Sequence, residues 1–111
     1  MSKILFEFEF PEGTDAAQAR LAVEEALRSL EEVDQVAAEE NDPRIGIVEA
    51  ATVITAVVTI VRSGRELAVE VQELTRLAQA ALRRIRGAEK VEAQAGGTRA
   101  TVEAEAVSSD G

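Results

Sequence analysis

The stretch from Asp42 to Gly87 constrains this chain most, because it contains the one long apolar run and seven of the twelve basic residues. Asp42-Pro43 reads as a helix start: Asp caps free backbone N–H groups, and Pro fits the first helical position, where its missing N–H would have had no partner. From Ile45 to Val61 the only charge in seventeen residues is Glu49. Residues 52–61, rich in Val, Ile and Thr, would suit a buried strand if taken alone. Seventeen residues without Gly or Pro after Gly46 exceed a usual strand, so length predicts a helix over 45–61. On that helix Thr52, Thr55 and Thr59 share a face, and each hydroxyl can bond a carbonyl one turn back.

Ser63-Gly64 interrupts the run, and Ser63 with Glu66 three residues on matches a capping box, which predicts a kink or a second helix. Leu67, Val71, Leu74, Ala78, Ala81 and Ile85 then recur in steps of four and three, the spacing of a helix that packs along a seam. Arg83, Arg84 and Arg86 fall in the last turn before Gly87, where cations complement the carbonyl end of the helix and Gly takes the left-handed stop. Unbroken, residues 43–86 would reach about 65 Å, so the helix must bend back or project from the domain.

The flanks are simpler. Ile4, Phe6, Phe8 and Phe10 alternate with Lys3, Glu7 and Glu9, which predicts a half-buried strand with every aromatic of the chain on its inward side. Asp15 opens a helix whose stripe is Ala19, Val23, Ala26, Leu27 and Leu30, and a second strand follows over 33–39. After Gly87, Val91, Ala93 and Ala95 alternate with polar residues up to Gly96-Gly97. Ala100, Val102, Ala104 and Ala106 alternate beyond it, the pattern of a hairpin. The expected architecture is α+β: a four-stranded sheet packed on one face by a helix and a long, interrupted apolar helix, in the order β-α-β-α(α)-β-β. Residues 1–107 form the single domain and 108–111 a disordered tail.

Charge and composition restrict function. Without His or Cys there is no imidazole or thiol chemistry and none of the usual zinc sites, and no serine has a histidine to activate it. Acids lie on nearly every exposed face without a pair singled out, so no catalytic residue, cofactor site or metal site is expected. A net charge of −9 disfavours nucleic acid. Charge is also uneven: residues 1–42 carry twelve acids and three bases, whereas residues 43–87 carry four and seven. The opening Met-Ser-Lys-Ile-Leu-Phe-Glu has no basic region followed by an apolar one, which predicts a cytoplasmic protein.

What remains is binding. The long helix can be core, subunit interface or membrane element. For an interface the candidates are Ile54, Val58, Val61, Leu67, Val71 and Leu74; for membrane insertion they are Ile47, Val53, Ile54, Val57, Val58 and Ile60.

The strand Ile4–Phe10, the helix of residues 15–32, the strand of residues 36–39, Asn41–Pro43 leading into the apolar run, Ser63-Gly64, the Arg-rich end at 83–86 and the closing hairpin at 91–107 together resemble the effector-associated constant component family of bacterial conflict systems. The resemblance implies a non-enzymatic adaptor of a bacterial immune system. Such a module self-assembles as a homo-oligomer or docks an effector, a caspase-like or trypsin-like peptidase or a nucleotide-dependent switch, through the helix over 43–86. The alternative it leaves open is a membrane-active, pore-forming death effector, whose helix over 45–61 is released by a partner or by proteolysis and then associates with the membrane.

Overall fold

The computed structural model describes residues 2–11, 13–31, 33–41, 52–60 and 71–104. Its elements are β1 (Ser2–Phe10), α1 (Ala16–Arg28), β2 (Val33–Asn41), β3 (Thr52–Ile60), α2 (Val71–Arg84), β4 (Lys90–Ala95) and β5 (Thr98–Glu103). The five strands form one antiparallel sheet in the order β2-β3-β1-β4-β5. Strands β1 and β2 flank β3 and are joined through α1, so the first six elements make the ferredoxin-like split βαβ arrangement, and β5 adds an edge beyond β4.

The α+β class holds, but two details differ from the sequence reading. The sheet has five strands where four were expected, and residues 52–60 of the expected long helix are the strand β3. The order is therefore β-α-β-β-α-β-β. Eight of the nine residues of β3 are β-branched, and such side chains lose rotamer freedom in a helix but pack well on a pleated surface. Their alternation was masked because the outward side, Val53, Thr55, Val57 and Thr59, carries no charge. Ile54, Ala56, Val58 and Ile60 are buried, while Val53 and Val57 occupy outward positions where polar residues usually reveal the period of two. The length argument failed with it, since nine residues suffice for the strand. Residues 42–51 and 61–70, with the expected helix start at Asp42-Pro43 and the capping box at Ser63, lie outside the described residues, as does the tail from 105 onward. The chain's longest dimension, 44 Å, leaves no room for a straight helix of about 65 Å.

Both helices lie on one side of the sheet. Asp15 caps α1, its Oδ1 accepting from the Ala17 and Gln18 N–H groups at 3.0 and 3.4 Å. At the other end of α1, the Ser29 hydroxyl donates to the Ala26 carbonyl at 2.7 Å. Helix α1 buries Ala19, Val23, Ala26 and Leu27. Helix α2 buries Leu74, Leu77, Ala78, Ala81 and Leu82 against β4 and β5, and the chain turns away at Gly87, whose φ of 94° suits glycine. Beneath the helices, Phe6 sits opposite Ala56 on β3 and Ala93 on β4, so two small neighbours make space for one large ring. Phe6 and Phe8 stack with centroids 5.9 Å apart. Among the described residues no polar or charged side chain is buried in this core.

Candidate interaction surface: the open face of the sheet

Because α1 and α2 both cover one side, the other face of the sheet has no described element over it, and the strand register sets its pattern. One row across the strands reads Ala37, Val57, Leu5, Gln94, Arg99. The next reads Glu39, Thr55, Glu7, Glu92, Thr101, and the third continues from Val53 through Glu9 and Lys90 to Glu103. The face is thus divided. Along β3, with Ala37 and Leu5 on either side, it is apolar and threonine-rich, Leu5 and Val57 standing side by side at 36% and 39% exposure. Towards β4 and β5 it is charged.

Counted over the described strands, this face carries the carboxylates Glu7, Glu9, Glu39, Glu92 and Glu103 against the cations Lys3, Lys90 and Arg99. Arg99 Nε lies 3.2 Å from Glu92 Oε2, a diagonal pair between β5 and β4. Glu7, Glu9, Val53, Lys90 and Glu92 line a depression of about 130 Å³, below the about 300 Å³ at which small-molecule pockets begin. A wider, open groove lies at the end of the sheet by Glu9, Glu89, Lys90, Glu103 and Ala104. Among the described residues no group of three or more Asp or Glu is arranged to hold a metal ion.

The residues singled out from the sequence scatter over this geometry. Of the interface candidates, Ile54, Val58 and Leu74 have no exposed surface and belong to the domain's own core. Val71, in the first turn of α2, is exposed, and Val61 and Leu67 lie outside the described residues. Of the membrane candidates, Ile54, Val58 and Ile60 are core, Val53 and Val57 stand on the open face, and Ile47 lies outside the described residues. Leu5 was missed. Its signal was present, an apolar residue at an outward position of β1 between Lys3 and Glu7.

No helix among the described residues is long and apolar enough to cross a membrane. No protein-family model, no curated protein and no solved structure matches this chain.

Proposed function

We propose that this chain is a non-enzymatic, cytoplasmic interaction module that holds a protein partner on the open face of its sheet. The observation that carries this reading is the row Ala37, Val57, Leu5, an apolar strip on a face that no described element covers, with Glu39 and Glu7 along one side of it and Lys3 on the other. Interfaces are built this way, with an apolar centre and a polar rim. The rim selects the partner: five carboxylates against three cations favour a surface with Lys and Arg around an apolar knob. RNA fits poorly, because sheet-face recognition of RNA stacks bases on aromatics, and Phe6, Phe8 and Phe10 are all turned into the core. The family resemblance adds the setting, a bacterial conflict system in which the partner is an effector peptidase or a nucleotide-dependent switch. Docking through the long helix loses its support, since Ile54, Val58 and Leu74 face inward. Membrane insertion of residues 45–61 is weakened for the same reason, because Ile54, Val58 and Ile60 hold the core together.

The test is co-purification with caspase-like and trypsin-like peptidases and nucleotide-dependent switches of bacterial conflict systems, for the natural sequence and for Leu5→Glu with Val57→Glu. Both positions are more than a third exposed, so the double variant stays folded. Loss of a partner with an unchanged melting curve supports the reading. A partner held equally well by the double variant refutes the face, and flotation of the natural chain with liposomes would restore the membrane alternative.

A further inference from the structure

We propose that β5 is a self-complementary edge, through which two copies of this chain pair antiparallel about a two-fold axis at Thr101 to form a ten-stranded sheet. This concerns the sheet's edge and does not depend on what binds its face.

Backbone geometry sets the register. Gly96 and Gly97, with φ of 52° and 89°, make a two-residue turn, so Ala95 and Thr98 exchange both backbone hydrogen bonds and the pattern alternates from there. Thr98, Ala100 and Val102 therefore turn their N–H and C=O groups towards β4, and the bond from the Ala104 N–H to the Glu89 carbonyl, 2.9 Å, continues that alternation. Arg99, Thr101 and Glu103 turn theirs outward, where among the described residues no strand meets them. Pairing centred on Thr101 places Thr101 opposite Thr101 and Arg99 opposite Glu103 in both directions, so every outward backbone group of the strand finds a partner.

Charge then selects this register over its neighbours. A centre on Arg99 or on Glu103 would oppose like charges and a centre on Ala100 or on Val102 would set Thr101 against a charge, whereas the centre on Thr101 forms two opposite-charge pairs. The row already alternates in sign within one copy, Glu9, Lys90, Glu103, and Arg99 of the second copy extends it. On the inner side Ala100 meets Val102, apolar on apolar. The opposite edge is built differently. Strand β2 has a bulge between Val33 and Gln35, and pairing about its apolar middle at Ala37 would set Asp34 against Glu40. Those are devices that protect an edge. Since the β5 ladder is short, the expected dissociation constant is on the order of 10–100 µM.

Sedimentation equilibrium on the full chain at low salt tests this. Arg99→Glu and Glu103→Arg, each alone, replace two attractive pairs by two repulsive ones and should weaken dimerisation about tenfold or more. Mixed in equal amounts, the two variants restore both attractions in a heterodimer, which should form within about threefold of the natural affinity. Within one chain the two positions lie about 13 Å apart along the strand, so only a contact between copies explains rescue by mixing. Thr101→Pro removes an outward N–H at the centre of the ladder and should leave a folded monomer. Should that variant lose its thermal transition, the mixing experiment alone decides. A natural chain that stays monomeric at concentrations well above the expected constant, or a mixture that associates no better than either variant, overturns the proposal.

Discussion

The sharpest prediction contrasts two adjacent residues. Val57 and Val58 lie side by side in β3, one on the open face and 39% exposed, the other fully buried between Ile4 of β1 and Val36 of β2. Lysine at 58 has no carboxylate to meet, because the described core holds no charged side chain. Keeping that amine neutral at pH 7, against an ordinary pKa near 10.4, costs about 5 kcal/mol. Overpacking by the longer chain adds about 1–3 kcal/mol. A domain of 111 residues is stable by about 6–16 kcal/mol, and one with a core this rich in alanine falls near the low end. Val58→Lys should therefore abolish the cooperative thermal transition. Val57→Lys faces solvent on an acidic surface, loses at most about 1 kcal/mol of strand preference and should melt within roughly 4–8 °C of the natural chain by circular dichroism. The pair separates strand from helix. On a helix Ile54, Val57 and Val58 would share one face, and both substitutions would do similar damage. Matched melting curves would refute the strand.

Two further stability predictions follow from the packing. Phe8→Ala removes a fully buried ring lying opposite Ile54 and Val91, so it should cost about 3–5 kcal/mol, read as a lower urea midpoint with an unchanged slope. Asp15→Ala removes the acceptor for two N–H groups at the start of α1 and should cost about 1 kcal/mol; Asp15→Asn should recover most of it, and equal losses would show that capping is not the cause.

Where one face of an element was apolar and the other polar, the sequence disclosed the element. Strand β1, helix α1 and the β4–β5 hairpin lie where their periodicities put them, and Gly87 and Gly96-Gly97 mark their stops as positive-φ glycines should. Strand β3 was hidden by the opposite condition. Flanked by β1 and β2, and with Val53 and Val57 on the outward side, it reads as one apolar run whose period cannot be seen, and length was a poor arbiter because the run continues on either side of it. The same error displaced the candidate surface. Once 52–60 was taken as a helix, Val57 grouped with Ile54 and Val58 as one patch, whereas in a strand it separates from them and joins Leu5. Leu5 itself carries little signal alone, since a single outward apolar residue is ordinary on any protein surface; only cross-strand register makes it part of a strip.

The two proposals meet in the geometry of the sheet. Antiparallel pairing of β5 with itself leaves the two-fold axis normal to the sheet, so both open faces of a dimer look the same way. From β1 of one copy to β1 of the other the path crosses β4 and β5 twice, five interstrand steps, or about 24 Å at about 4.8 Å each. A dimer would thus present two Leu5 and Val57 strips to one side, spaced for a partner that is itself dimeric or immobilised. Binding would then gain from valency as well as from contact, because the second site engages at the effective concentration set by the first. Thr101→Pro separates these contributions. It should leave the affinity for a monovalent partner in solution unchanged while speeding dissociation from a partner fixed at high density, whereas Leu5→Glu with Val57→Glu should abolish both. Equal loss in both formats for Thr101→Pro would mean that the edge belongs to the partner site, and that face and edge are one surface.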